Sequence, residues 1–384
     1  MTKVPNLRFP EFTEEWETKK LGEILEFKNG INATKEQYGS GYKFINVLDI
    51  LNNEFITHDK IIGSVNVNEE IIDKFPVNYG DILFQRSSET REEVGTTSVY
   101  LDKDKTATFG GFVIRGKKIG EYEPIFLNKS LKTDLVRNQI TSKSGGSTRY
   151  NIGQEILASV TLHFPSLNEQ TKIASFLSLI DSRIQTQNKI IKELEILIQE
   201  LRNQIFKRKR RFTDTDGRDF AGWKKVKIGD ILKIGNGKDY KHLQSGDIPV
   251  FGTGGFMTLV NDYLYDGETV CIGRKGTIDK PMYHEGKLWT VDTLFYTHSF
   301  QSCIPKFIFH LFQTINWLEY NEASGVPSLS KTTIEKIGLQ IPSIEEQERI
   351  ASFLNKIDHK IQTEKAILEQ LEMQKKYLLK QMFV

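Results

Sequence analysis

Two stretches in the first half of the chain concentrate side chains able to bond to polar edges. "FQRSSETREEVGTT" carries Gln85, Arg86, Ser87, Ser88 and Arg91, and "SKSGGSTRYN" carries Lys143, Ser147, Thr148, Arg149 and Tyr150. The second half offers "GRKGT", with Arg274, Lys275 and Thr277, and "ASGVPSLSK", with Ser324, Ser328, Ser330 and Lys331, while "GNGKDYKH" adds Lys238 and His242. A guanidinium can bond bidentately to guanine and a glutamine amide to adenine, whereas Ser, Thr and Lys can hold phosphate oxygens. The same residue types also mark any exposed turn, so these loops alone do not separate base reading from a solvated surface. What frames them has to decide.

Other chemistries lack their residues. "GNGK" and "GTGG" do not complete the G-x-x-x-x-G-K-[ST] phosphate loop, and no G-x-G-x-x-G leads from a strand into a helix. Without a Pro-Pro pair there is no Asn-Pro-Pro-aromatic signature of an amino-methyltransferase. His58, His163, His284, His298, His310 and His359 show no nucleophile partner at readable spacing, and no H-E-x-x-H suggests a metal. Cys271 and Cys303 are too few for a disulfide framework, which suits a reducing cytoplasm. The start, "MTKVPNLRFPEF", has no apolar signal core, and no apolar run approaches the length of a membrane helix. With 52 basic against 50 acidic residues the net charge is only +2, so any affinity for nucleic acid has to be local.

The elements that would position the loops are written twice. "EQTKIASFLSLIDSRIQT" from Glu169 returns as "EQERIASFLNKIDHKIQT" from Glu346, part of a gap-free match that shifts Pro165 onto Pro342, 177 positions along. A weaker echo precedes it: "WETKKLGEILEFKNG" from Trp16 returns as "WKKVKIGDILKIGNG" from Trp223, 207 positions along, and Arg8-Phe9 returns as Arg211-Phe212. The edges repeat while the interiors diverge, as expected if copied edges do one structural task twice and the interiors do two versions of a variable one. Each interior, rich in Val, Ile, Phe, Tyr and Thr and broken by Gly and Asp, predicts a mixed domain of short strands and helices.

Both back signatures open with Ser-x-x-Glu after a proline, Ser166 to Glu169 and Ser343 to Glu346, which predicts a capped helix start with the glutamate answering the serine as a capping box. Ile173, Leu177, Ile180 and Ile184 then fall in steps of three and four, followed by Gln187, and Ile350, Leu354, Ile357 and Ile361, followed by Glu364, repeat the seam. A forty-residue helix is roughly 60 Å long, too long to bury its stripe on one small domain. It needs another long helix, either the second copy folded back antiparallel or a seam on a partner protein or a second chain. "KRKRR", Lys207 to Arg211, ends the first helix and reads equally as a solvated helix end or a phosphate contact. The expected fold class is α+β: two pseudo-repeated mixed α/β domains joined by two long antiparallel coiled-coil helices. The expected division is a first domain over 1–165, a central helix over 166–210, a second domain over 211–342 and a distal helix over 343–384.

The order W-x(3)-K-[LI]-G-[ED]-I, variable domain, P-S-x-x-E-Q-x-x-I-A-S-F-L-x-x-I-D, long helix, and then the same again resembles the specificity subunit of type I restriction-modification systems across nearly the whole chain. The resemblance implies that each variable domain reads half of a split, asymmetric DNA target. It also implies that the helices set the spacing and dock two modification subunits, and that restriction subunits can join. Catalysis and its S-adenosylmethionine, ATP and Mg would belong to those partners, leaving this chain non-catalytic and without a cofactor or metal of its own. The family lends no strict residue code, so Gln85, Arg86, Ser88, Arg91, Lys143, Thr148, Arg149, Lys238, Arg274, Lys275, Thr277, Ser328 and Lys331 stand as DNA-contact expectations from residue type alone. The competing reading is a coiled-coil scaffold whose two domains bind proteins or glycans.

Overall fold

In each half, the front and back signatures meet as the two strands of one antiparallel ribbon. Glu17–Lys20 pairs with Thr161–Phe164, Glu17 opposite Phe164, and Lys224–Lys227 pairs with Gly338–Ile341, Lys224 opposite Ile341. The computed structural model describes residues 4–146 and 148–384, which fall into two units, Met1–Thr186 with Leu368–Val384, and Gln187–Ile367. After each ribbon's first strand comes a one-turn helix, Leu21–Ile24 or Ile228–Ile231, with both terminal apolar residues buried. The glycine inside that turn permits close packing: a Cβ on Gly22 would lie 3.0 Å from Ala158 Cβ, and one on Gly229 would lie 3.0 Å from Glu335 Cβ.

In the first unit the chain then enters a five-stranded sheet in the order Leu25–Asn29, Val113–Lys118, Ile82–Gln85, Thr97–Tyr100, Phe55–Ile56, antiparallel except for the last pair. Its central strands are buried on both faces, with successive side chains pointing opposite ways. Ile82, Phe84, Val99 and Ile114 pack toward Trp16, Phe126 and the helix residues Ile173, Leu177 and Ile180. Leu83, Tyr100 and Val113 pack toward Ile45, Ile61 and Phe109. The last of these, Phe109, lies in a smaller sheet formed by Tyr38–Ile45, Ser64–Val65 and Thr108–Phe109. In the second unit, Lys233–Asn236, Leu294–His298, Thr269–Gly273 and Met282–His284 form one four-stranded sheet. Gly255–Val260, Ile248–Gly252, Lys287–Thr290 and Tyr265–Asp266 form another.

The central helix runs Leu167–Phe206 and the distal helix Ile344–Met382, 40 and 39 residues. Neither contains Pro or Gly, and each is capped by its serine, the Ser166 and Ser343 hydroxyls accepting from the N–H of Glu169 and Glu346 at 3.4 Å. The glutamates do not turn back to complete a capping box. Glu169 instead accepts from Arg8 Nε and Nη2, each at 2.7 Å, and Glu346 accepts from Arg211 at 3.1 Å and from the Trp223 indole at 3.2 Å. The duplicated Arg-Phe pair is thereby explained, because Phe9 meets Phe176 and Phe212 meets Phe353 edge-on beside these locks. Arg211 also donates to the carbonyls of Phe220 and Ala221, so the last member of the basic run is a structural tie rather than a solvated end.

The glutamine that follows each glutamate is buried as well. Gln170 donates to Pro165 O and accepts from Glu123 N–H, the cap of the helix Pro124–Ser130, while Gln347 donates to Pro342 O and accepts from Ile304 N–H, the cap of Pro305–Phe312. One amide thus joins the long helix to the domain's own helix, in both units.

The two helices run antiparallel. In the first unit Asp181 meets Lys375 at 2.8 Å, and in the second Gln187 meets the Glu364 carbonyl at 2.9 Å and Arg202 meets Asp358 at 2.9 Å, partners advancing along one helix as they retreat along the other. The seam is shared between cores: Ile173, Leu177, Ile180 and Ile184 pack with Leu378 and Met382 in the first unit, and Ile350, Leu354, Ile357 and Ile361 with Ile198, Leu201 and Ile205 in the second. Each domain therefore sits on the start of its own helix and the end of the other. Phe383 packs on Trp16 and Phe206 on Trp223. Among the described residues no helix is long and apolar enough to cross a membrane.

Candidate nucleic-acid interface

In the first unit the two polar stretches fold into one loop cluster. The short strand Ser87–Ser88 pairs with Tyr150–Asn151, and Arg91 donates from Nε to Thr141 O at 3.0 Å and from Nη2 to Ser142 O at 3.3 Å. Arg149, 60% exposed, lies 3.8 Å from Glu89, and Lys143, also exposed, reaches Ser159 Oγ at 3.2 Å. Thr148 is exposed beside Arg149, while Ser147 lies outside the described residues. The strand Ile82–Gln85 supplies the rigid base of this cluster.

Gln85 and Ser88 face inward. The Gln85 amide donates to Ser87 O at 3.1 Å and its Oε1 is buried without a partner, and Ser88 Oγ donates to the Glu93 carboxylate at 2.9 Å while accepting from Thr90 N–H. In this conformation they shape the loop rather than project from it. Half-buried Arg86 donates its backbone N–H to Phe112 O at 2.9 Å and its Nη1 to Gly111 O at 3.2 Å, which ties the loop to a neighbouring glycine turn.

The second unit builds its cluster from different elements. Arg274 N–H donates to Thr293 O and Arg274 O accepts from Leu329 N–H, Lys275 bridges to Ser328, and Gly276 N–H donates to Pro327 O. This brings residues 274–277 and 327–331 together. Arg274 and Lys275 are exposed, Thr277 and Ser328 half-buried, and the Arg274 side chain rests on Asp292 O at 3.2 Å. Lys331 is exposed in the first turn of the helix Lys331–Lys336, capped by Ser330, and pairs with Glu335 at 3.7 Å. Lys238 lies in a separate loop held by its own N–H to Thr290 O and by the Trp289 indole donating to Lys238 O at 2.8 Å, with His242 edge-on to that indole. Residues 290–293 connect the Lys238 loop to the Arg274 loop.

Both clusters present donors and positive charge, the inventory for phosphate oxygens and base-edge acceptors. Among the described residues no group of three or more His, Cys, Asp or Glu side chains is placed to hold a metal ion.

The sequence reading missed two buried charge clusters beneath the domains. In the first unit Lys129 bonds both Glu54 and Asp181, and Lys132 and Lys375 complete the set. Burial works against the charged Glu54, but Lys132, Lys129 and Lys375 outweigh it and hold the carboxyl at about 2. In the second unit Arg202, Asp358 and Asn355 surround the fully buried His310. The available signal was the repeated Asp of "LID" and "KID", since Asp181 and Asp358 occupy equivalent seam-side positions.

The family model of the type I restriction modification DNA specificity domain matches residues 13–196 and again residues 221–373. A Methanocaldococcus jannaschii protein provisionally described as the MjaX type I restriction enzyme specificity subunit is 25% identical over 406 aligned positions, covering 96% of this chain and 93% of that one. The MjaIX specificity subunit of the same organism is 28% identical over 243 positions, 59% of this chain and 54% of that one. A crystal structure of a type I restriction-modification S subunit from M. genitalium superposes with a TM-score of 0.64 at 18% identity, covering 99% of both chains. A chain from a structural study of type I R-M complex assembly superposes at 0.56 and 14% identity, covering 96% and 97%. At these identities the structural likenesses speak to the fold.

Proposed function

Because the chain belongs to the type I restriction modification DNA specificity family, matched once in each half, we propose that it is the DNA-recognition subunit of a type I restriction-modification complex in the cytoplasm. Its domains, residues 1–165 and 211–342, each read one half of a bipartite, asymmetric double-stranded target. The helices, 166–210 and 343–384, set the gap and dock two modification subunits, and restriction subunits join that assembly. The chain itself is non-catalytic. Methyl transfer with S-adenosylmethionine and ATP-driven, Mg-dependent cleavage are the work of the partners.

The observation that carries this reading is the contrast between ribbons paired in the same register and loop clusters built from unlike elements. Identical mounts holding different readers suit an asymmetric target. Arg86, Arg91, Lys143, Thr148 and Arg149 serve one half-site, and Lys238, Arg274, Lys275, Thr277, Ser328 and Lys331 the other. Gln85 and Ser88 contribute through the shape of the first loop. Because the net charge is only +2, much of the positive surface of the working complex comes from its partners.

The spacing role has its own test. Four residues inserted in register into both helices, near Ile191 and Leu368, add about one helical turn, or roughly 6 Å at 1.5 Å per residue. The preferred gap between half-sites then grows by roughly 1 to 2 base pairs, at about 3.4 Å per step. Methylation mapping reads this directly, and an unchanged gap refutes a spacer set by the helices.

A further inference from the structure

Resting on the DNA-reading role proposed above, we infer that Phe112 and Phe256 are apolar wedges that press on a base step, one in each half-site. The chain has 24 phenylalanines, and among the described residues only these two are exposed, at 64% and 61%. Each directly follows a Gly-Gly pair, in "FGGF" ending at Phe112 and in "TGGF" ending at Phe256. From 112 to 256 is 144 positions, which matches neither the 177 nor the 207 of the repeated frame. The two triplets therefore belong to the divergent interiors, where recognition resides, and not to the copied edges.

The backbone under the Phe256 ring requires glycine, and a side chain under the Phe112 ring would have to displace that of Asn32. A Cβ on Gly111 would lie 1.9 Å from Asn32 Oδ1, and Gly255 has a φ of +107°, in the region that L side chains rarely adopt. Both rings are thus mounted on specified turns, although an exposed phenyl ring gives the fold little burial energy.

Their neighbours are the cations of the two reading clusters. Phe112 O accepts from Arg86 N–H, and Arg86 Nη1 holds Gly111 O, so the ring and the guanidinium share one platform. In the second unit Thr253 Oγ1 lies 3.4 Å from the Cβ position of Gly276, which places the glycine turn against the loop that carries Arg274 and Lys275. Met257 and Leu259, 49% and 43% exposed, are further exposed apolar side chains on the strand Gly255–Val260. An exposed ring close to cations, half-buried Arg86 in the first unit and the loop of exposed Arg274 and Lys275 in the second, suits a polyanionic duplex better than an apolar protein surface: the cations meet phosphates while the ring enters a groove and partly unstacks a step.

The test uses the chain in complex with its modification subunits and a duplex bearing the target established by methylation mapping, with 2-aminopurine placed at each step in turn. Wild-type binding is expected to raise the fluorescence at one step in each half-site. Phe112→Ala should remove the rise in one half-site only and weaken binding about 10- to 100-fold, with Phe256→Ala doing the same in the other. Phe→Leu at either position should recover most of both signals, and denaturation midpoints should not move because both rings are exposed. A wild-type complex that prefers its target yet shows no fluorescence rise, or alanine variants with unchanged affinity and fluorescence, overturns the wedges and leaves DNA reading intact. A wild-type complex with no preference for the target overturns the reading beneath them.

Discussion

Replacing Arg8 with methionine lowers the stability of the first unit by about 3–5 kcal/mol, the range for removing one partner of a buried ion pair. The reason is the environment of Glu169. Its side chain is 1% exposed, and both of its oxygens accept from Arg8 at 2.7 Å. Loss of the guanidinium strands a carboxylate where water cannot reach it, and the cost is that of the unpaired charge rather than of one lost contact. Arg8→Met combined with Glu169→Leu should therefore recover much of the loss. The equivalent Arg211→Met is expected to cost less: the Trp223 indole still donates to Glu346, and Arg211 is already 32% exposed against 11% for Arg8. Hydrogen exchange under increasing denaturant measures each value, in first-unit amides for Arg8→Met and in second-unit amides for Arg211→Met, and equal losses from the two arginine variants would contradict the difference in their locks.

Acidification weakens the second unit well before carboxylates titrate. Burial, together with the positive charge of Arg202, holds the His310 imidazole at about 3, far below its ordinary value of 6.5. Arg202 has only donors, so Nδ1 accepts from it and Nε2 carries the proton toward Asn355 Oδ1 at 2.9 Å. Between those two pH values the unfolded chain binds a proton that the folded one refuses. Stability is thus complete above about pH 6.5 and falls by about 1.4 kcal/mol per pH unit below it, reaching about 2–3 kcal/mol by pH 4.5. Asp358, 3.6 Å away, is pushed up by burial against the pull of Arg202, and its proton uptake on folding offsets part of this only in the carboxylate range. In the first unit Glu54, held at about 2, contributes stability that persists above about pH 4.5 and is lost only on falling toward 2. The second unit should therefore loosen first as pH drops from 7, visible as faster exchange of its amides. His310→Gln should flatten that dependence, and an equal pH slope in the variant would contradict the assignment.

The large-scale plan was legible because it rests on periodicity and self-similarity, which survive divergence. Seam positions such as Leu177 and Leu354, the serine caps and the two offset echoes all predicted long helices framing unlike mixed domains. The partners of buried polar groups were not legible, because they depend on contacts far apart in sequence. Arg8 was visibly repeated as Arg211, but its reason lies 161 positions away at Glu169. Lys375 stands where the other helix has Ile198, and nothing near it in sequence shows that Asp181 and Glu54 neutralise it. Direction was equally hidden: Gln85 and Ser88 have the chemistry of readers, but Gln85, at the end of the strand Ile82–Gln85, and Ser88, in the strand paired with Tyr150–Asn151, both face inward. Phe112 and Phe256 escaped notice for the opposite reason, since a phenylalanine among β-prone residues reads as core until its exposure is known.

Independent reading by two unlike domains is tested most directly by replacing residues 16–160 with the corresponding segment of another specificity subunit and mapping methylated adenines across the genome. The predicted map changes one half-site and preserves both the other half-site and the gap between them. A map in which both half-sites change, or neither does, would contradict it.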